Sequence, residues 1–341
     1  MPVSVDRHRY PTQWYEGRGF RQAYVRLGAG GVPLLLIHGW PETKRLYWRV
    51  IEPLAEAGFD VIVPDLRGFG ESALGPDGRH DAPASSRDLE ALVTDGLGHR
   101  RVVVAGGDFG GVIAQDFALR FPDCTERLVL TNCPLPYDRE AMAGLRTRPP
   151  RENLDYHLRQ GTDADSLAAE LASAAQRHRY VETFYTSRDW AHPGTFTVRS
   201  AAPGDYSAVD FHCEPFQDAA RFRASLGAYE ARYDEGSRSE PTMSRVGGST
   251  RTLILFGSSD RVVAPDFDRV AAIAFPNHMG PFVLQGCGHF VPWEAPYAYV
   301  SAVTAFCSDL LAAAKRAAPT TAVHDQQLRD DRLDRRSGDG C

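Results

Sequence analysis

Short apolar runs recur along this chain, and most are followed by stretches in which apolar residues return every three or four positions. Pro33-Leu-Leu-Leu-Ile-His38 is apolar almost without interruption. Asp60-Val-Ile-Val-Pro64, Val102–Ala105, Leu128–Thr131, Thr252–Phe256 and Pro281–Leu284 repeat the pattern. Continuous Val/Ile/Leu runs suit strands buried on both faces, and helical spacing over Leu46–Ala57 and Ser86–Leu97 supplies the covering helices. The alternation predicts an α/β fold with a mostly parallel twisted sheet flanked by helices. Gln22-Ala-Tyr-Val-Arg-Leu27 alternates instead, which predicts an antiparallel edge strand before the parallel set.

The rhythm fails between Pro136 and about Gly247. That segment is polar, aromatic and helical in spacing over Asp165–Ala175, Tyr180–Tyr185 and Phe216–Tyr233. A structureless loop of that size does not fit a folded domain, so a helical insertion over one edge of the sheet is expected. The resulting division is residues 1–136 as the first part of the core, 137–246 as a helical cap, and 247–317 as the second part of the core. Residues 318–341 are charged and poor in large apolar side chains, and are expected to be a disordered tail.

Composition narrows the function classes. The 341 residues carry a formal net charge of −6 and are 43% hydrophobic, enough for a sizeable core. A mild acidic balance does not point to nucleic acid or to an anionic membrane. No apolar run has membrane-spanning length, and the charged amino terminus has no signal-like apolar region, so the cytosol is the expected compartment. Six scattered cysteines with no CxxC pair read as reduced thiols, not as a disulfide framework or a zinc site.

The chemistry starts at Val102-Val-Val-Ala-Gly-Gly-Asp-Phe-Gly-Gly111. An acidic residue sits where a buried strand gives way to a helix, with glycines on both sides. A nucleophile elbow needs small residues two before and two after the reactive side chain. Asp108 would then project from the C-terminal end of a strand, where open parallel sheets place ligands, at the positive end of the following helix. An aspartate merely capping that helix would leave the same local pattern. His38-Gly39-Trp40-Pro41 follows the first parallel strand, where the Trp40 and Phe109 amides would form an oxyanion hole. Asp260 follows a buried strand in Phe256-Gly-Ser-Ser-Asp260, and His289 follows the last strand in Gly286-Cys-Gly-His-Phe290. Nucleophile, acid and histidine thus occur in the chain order of the Ser/Asp/His hydrolases.

These segments resemble the α/β-hydrolases, and within them the soluble epoxide hydrolases. HGWP is similar to the family's HGxP motif, Asp65–Ser72 (DLRGFGES) to DxRGxGxS, GGDFGG to an elbow with an aspartate nucleophile, and SSD and GCGHF to the acid and histidine segments. The resemblance covers roughly residues 15 to 315 and implies an α/β-hydrolase fold with the cap inserted between strands 6 and 7. It also implies two cap tyrosines that hold an epoxide oxygen. Asp155-Tyr156-His-Leu-Arg is similar to the first such segment and Leu226-Gly-Ala-Tyr229-Glu-Ala to the second, with Ala228 and Glu230 departing from the usual aromatic and arginine. Tyr180, Tyr185 and Tyr233 are rivals for the role.

The implied reaction is ring opening by Asp108 to a covalent ester, followed by hydrolysis with water activated by His289 and Asp260. A serine would leave an ether that water cannot cleave; a carboxylate leaves an ester. The substrate, a small epoxide, is expected against His38, Trp40, Pro41, Phe109, Tyr185 and Trp190, although His38 also reads as a residue that packs and hydrogen-bonds locally. Cap aromatics, among them Tyr180, Phe184, Phe211 and Phe216, suggest an apolar or aromatic epoxide. Cofactor and metal are not expected, and a homodimer stays open. The competing functions are a dehalogenase using the same Asp-His-Asp set, against which Phe109 stands where a halide-gripping Trp or Arg is usual, and a hydrolase-fold protein that binds a ligand without turnover.

Overall fold

The computed structural model describes residues 5–150, 155–198 and 206–317. The tail expected at 318–341 lies outside the described residues. Eight strands form one sheet: β1 Gln13–Gly17, β2 Phe20–Leu27, β3 Val32–Ile37, β4 Phe59–Pro64, β5 Val102–Gly107, β6 Thr125–Thr131, β7 Thr252–Gly257 and β8 His278–Leu284. Their spatial order is β1-β2-β4-β3-β5-β6-β7-β8. From β4 to β8 all neighbours are parallel, whereas β1 and β2 join antiparallel.

The apolar runs became strands because only the interior of a covered sheet can bury them. β4, β5 and β7 are buried at every residue. β8 is the edge strand, which leaves Phe282 and Val283 exposed. Gln22–Leu27 is antiparallel as expected, but it is not the edge. The five-residue β1 pairs outside it through a tight hairpin at Arg18 and Gly19, both at positive φ. Gln-Trp-Tyr-Glu-Gly has no apolar run and so carries little signal of its own.

Helices α1 Ile51–Ala57, α2 Ala82–Ala91 and α3 Asp108–Arg120 cover the first half of the sheet. The helix expected over Leu46–Ala57 is broken into a 3₁₀ turn at Lys44–Tyr47 and α1, which stops at Gly58 with φ +108°. α2 starts earlier than its apolar spacing suggests, because Asp81 caps it by accepting the Ala84 N–H and Pro83 suits its first turn. Behind the site, the DLRGFGES segment is structural. Asp65 accepts the Lys44 ammonium and the Lys44 and Glu71 amides, while Arg67 donates two bonds to Asp88.

Between β6 and β7 the chain makes the expected helical cap: α4 Asp155–Thr162, α5 Ala164–Glu170, α6 Ala174–Thr186, α7 Ala208–Cys213, α8 Ala219–Ser225 and α9 Gly227–Tyr233. The run Asp165–Ala175 is not one helix. α5 ends at Glu170, and Ser173 with Gln176 forms a capping box that starts α6. α10 Phe267–Ala274, α11 Val291–Glu294, α12 Pro296–Phe306 and α13 Ser308–Ala317 complete the core. No single helix among the described residues is long and apolar enough to cross a membrane.

Candidate active site

β5 delivers the chain to Asp108 in a conformation that few residues accept. Its φ is +48°, in the left-handed region where a side chain costs about 1–2 kcal/mol. The glycines around it are steric necessities. A Cβ at Gly106 would lie 2.3 Å from the Gly110 carbonyl oxygen, and one at Gly110 would lie 2.2 Å from that of Ile37. The strand, the turn and α3 can approach this closely only with hydrogen in those places. The result is a carboxylate raised on a sharp turn, at the first residue of a helix and at the C-terminal edge of the sheet.

The loops after β3, β7 and β8 converge on it. Asp108 Oδ1 accepts the Trp40 N–H at 2.8 Å, and the Phe109 amide also donates to the carboxylate. Asp108 Oδ2 lies 3.2 Å from His289 Nε2, and His289 Nδ1 lies 2.6 Å from Asp260 Oδ2. The other oxygen of Asp260 takes the Val262 N–H at 2.6 Å, which tethers the carboxylate beside the imidazole. All three side chains are buried.

Burial opposes charge on Asp108, but the His289 hydrogen bond and charge and the two amides outweigh it, so its carboxyl lies below the ordinary range. Burial likewise opposes charge on His289. The Asp260 charge and the hydrogen bonds to Asp108 and Asp260 win, and the imidazole lies well above its usual value. Both shifts favour the charged pair, a carboxylate facing an imidazolium.

Cap aromatics roof this group. Trp40 stacks on Tyr156 with ring centroids 6.0 Å apart and meets the edge of Tyr229 at 5.5 Å. The two tyrosine rings are 5.9 Å apart. The Tyr156 hydroxyl is buried beside that of Tyr229, yet makes no hydrogen bond of good geometry among the described residues. Burial first, and then neighbouring charge, hold both phenols well above their ordinary pKa, so they remain proton donors. A cavity of about 810 Å³ opens from Asp108 and Phe109 past Tyr229 and His157, with Val262, Val263 and Phe267 on its apolar side. That volume falls in the range of small-molecule sites.

A family model described as the alpha/beta hydrolase fold matches residues 32–296. The chain belongs to the alpha/beta hydrolase fold family. Within it, the soluble epoxide hydrolase of Corynebacterium sp. (strain C12) is 28% identical over 299 residues, covering 86% of this chain and 95% of that protein. The ligand-free structure of the epoxide hydrolase CorEH superposes with a TM-score of 0.71 at 25% identity, covering 89% of this chain and all of that one. The epoxide hydrolase VrEH1 from Vigna radiata, at 18% identity and a TM-score of 0.69 over 89% of this chain, shares the fold.

Not every side chain expected against the substrate of this hydrolase turns toward the cavity. Phe109 does. His38 does not: it is fully buried, its Nε2 accepts the Leu66 N–H at 3.0 Å, and Nδ1 pairs with the Gly39 carbonyl at 2.9 Å. Burial lowers its pKa to about 4, so it is a neutral brace between two loops. Tyr185 is likewise structural. Its hydroxyl donates to the Pro41 carbonyl, and its ring stacks between His212 and Phe290. Pro41 makes the turn through a cis bond to Trp40 and is itself buried. Trp40 and Trp190 pack around the site without lining the mapped cavity. The Trp40 indole N–H is taken by Ser225 Oγ at 3.1 Å. Trp190 sits edge-on to His289 at 4.7 Å, and its carbonyl accepts the His289 N–H at 2.6 Å. Phe211 and Phe216 are core residues, not cavity walls.

Three residues that the sequence reading passed over complete the site. Glu42 is buried and accepts the Gly39 N–H. Burial and the Asp108 charge push its carboxyl up to about 8, against the pull of His289. Asn132 takes the Asp108 N–H on its backbone carbonyl at 3.0 Å, the Gly257 N–H on Oδ1 at 3.0 Å, and donates Nδ2 to the Gly288 carbonyl at 2.9 Å. Glu294 accepts the amides of Gly288, Phe290 and His192 around the His289 loop. Only the HGWPE string offered a signal, by placing Glu42 beside the oxyanion turn. Asn132 and Glu294 have no motif.

Proposed function

We propose that this chain is an epoxide hydrolase that opens an oxirane to a vicinal diol through an ester on Asp108. The observation that carries the reading is the imidazole of His289 bridging Asp260 and Asp108, while the other Asp108 oxygen rests on the Trp40 amide. Residues 137–246 serve as the cap that brings Tyr156 and Tyr229 over this carboxylate.

Ring opening uses Asp108 Oδ2 as nucleophile, because Oδ1 is committed to the Trp40 amide. The oxirane C–O bond breaks, and its oxygen takes a proton from the tyrosine pair, which the imidazolium of His289 restores. Forming the ester removes the charge on Asp108. One of the causes that raised the His289 pKa is then gone, and the imidazole becomes a base held in its tautomer by Asp260. It takes a proton from water, and the hydroxide attacks the carboxyl carbon. Negative charge develops on Oδ1, already on the Trp40 and Phe109 amides, each worth about 3 kcal/mol to such an intermediate. Collapse releases the diol alkoxide, which collects the proton from His289. Ionisation of the new Asp108 carboxyl returns the imidazolium.

The dehalogenase alternative lacks comparable support. Trp40 spends its indole N–H on Ser225, and Phe109 offers no donor to a halide. The test is one turnover in heavy-oxygen water with enzyme in excess over styrene oxide. Unlabelled oxygen in the first diol, with label recovered in Asp108, is the expected outcome. Label in that first diol would exclude the ester.

A further inference from the structure

The cavity that begins at Asp108 does not end apolar. Its wall includes Arg148, Arg232 and Arg238 as well as His157. Arg238 is engaged, donating to the Ala231 carbonyl and facing Glu235 at 3.3 Å. Arg148 and Arg232 are exposed, and their guanidinium groups make no hydrogen bond or ion pair with another described residue. The two carboxylates on the wall do not neutralise them. Asp81 is buried and holds the Ala84 and Ser239 amides, and Asp108 faces His289. The wall therefore carries two guanidinium groups without a carboxylate partner among the described residues, on a molecule whose formal net charge is −6.

Position makes Arg232 the more informative of the two. It stands three residues beyond Tyr229 on α9, on the same helix face and about 4.5 Å further along the axis. Beside Tyr229 in the same lining lies His157, its ring edge-on with centroids 4.8 Å apart. Its Nδ1 is buried and has no partner among the described residues, although the ring reaches the cavity. A buried ring nitrogen without a partner is costly unless a ligand or water meets it.

On the proposed epoxide hydrolase reading, we infer that the substrate carries a carboxylate a few bonds from its oxirane ring. Tyr156 and Tyr229 hold the oxygen of the ring, His157 meets a polar atom next to it, and Arg232, seconded by Arg148, binds the carboxylate. The apolar side at Val262, Val263 and Phe267 covers the carbon skeleton between them. This sharpens the expectation of a merely apolar or aromatic substrate: the aromatic body fits, and a charged end is added.

The test pairs para-carboxystyrene oxide with para-carbamoylstyrene oxide, which have the same shape and differ in charge. The full-length enzyme should favour the carboxylate in kcat/KM by about tenfold or more at low ionic strength. Arg232→Gln should bring the ratio close to one, Arg148→Gln should lower it in part, and added salt should erode it. Arg100→Gln, an exposed cation at the start of β5 and thus at the far end of that strand from Asp108, should keep it. Turnover of both epoxides without preference, or a ratio unchanged in Arg232→Gln, overturns the inference. A second measurement separates it from the reaction itself: calorimetric binding of the two corresponding diols. If neither epoxide reacts but the carboxylate diol binds about tenfold tighter and loses that margin in Arg232→Gln, the anion site stands and the hydrolase chemistry falls. Equal binding of the two diols removes the site.

Discussion

In the proposed reaction the charges of Asp108 and His289 both vanish in the ester and both return with the product, and this sets what a single change should do. With His289→Gln the ester still forms, since Asp108 keeps its two amides, but no base activates water. Mass spectrometry of the intact protein should then find the enzyme heavier by one epoxide, with diol formation down by at least about a thousandfold. A variant that neither turns over nor gains mass would place His289 before the ester. Tyr156→Phe and Tyr229→Phe should each slow single-turnover ring opening by roughly ten- to a hundredfold. A tyrosine whose loss leaves that rate unchanged has no part in the chemistry. Glu42 gives the pH dependence. Its carboxyl sits at about 8 in the folded chain against an ordinary 4.5. Between those values the unfolded chain has lost a proton that the folded chain keeps, so this residue makes stability fall as pH rises from about 4.5 to about 8, and the loss levels off above that. Glu42→Gln removes the slope. Its unfolding free energy in urea should gain on the parent across that window by an amount on the order of a few kcal/mol, and equal pH profiles would show a solvated carboxylate.

Strands β3 to β7 could be read from the chain because a sheet covered on both faces needs unbroken apolar runs, and little else in a protein does. The elbow, Asp260 and His289 could be read because each follows such a run. What escaped was direction. His38 and Pro41 belong to the HGWP motif, and Tyr185 and Trp190 are cap aromatics, but neither membership says which way a side chain turns, and those four brace the loops. Asn132 escaped for the opposite reason: it ends β6, a strand with no motif, and acts across three loops at once. Its carbonyl holds the Asp108 amide, its side chain the ends of β7 and the His289 loop, and its own φ is +32°. Asn132→Ala would take from the Gly257 amide its side-chain acceptor and leave the Gly288 carbonyl with only the weak Cys287 thiol at 3.6 Å, at about 1–3 kcal/mol each. Denaturant unfolding should register a loss of about 2–4 kcal/mol. kcat should fall with little change in KM, because the loops that move carry the nucleophile, acid and base rather than the cavity wall. A stability loss with unchanged kcat would make Asn132 a brace for the fold alone.

At the scale of the whole molecule, the reaction needs two separately built surfaces in register: a sheet edge with the charged groups, and a cap with the phenols. Part of the registration is apolar, since Trp40 of the core is enclosed by Tyr156, Phe184 and Tyr229 of the cap. Part is ionic: Glu240 pairs with Arg87 and Arg120 of the core, and a second carboxylate gathers two more core arginines. Glu214, just after α7, accepts Arg7 at 2.5 Å and Arg45 at 2.8 Å from the core, and the Tyr206 hydroxyl at 2.9 Å. Burial raises its pKa, but Arg45, Tyr206 and Arg7 outweigh that and keep it ionised. Glu214 is 27% exposed and Arg45 17%, so solvent screens the pair only in part. Glu214→Gln would leave two half-buried guanidiniums facing a neutral amide, and should cost about 1–2 kcal/mol in urea unfolding. Its kinetic signature follows from which surface carries which step. On the proposed mechanism ring opening draws on Tyr156 and Tyr229 of the cap, so it should slow several-fold. Hydrolysis of the ester draws on His289 and Asp260 of the core, and should slow less. Single-turnover kinetics resolve the two steps, and equal effects on both would mean that the Trp40 cluster, not the Glu214 ion pairs, sets how the cap sits over the sheet.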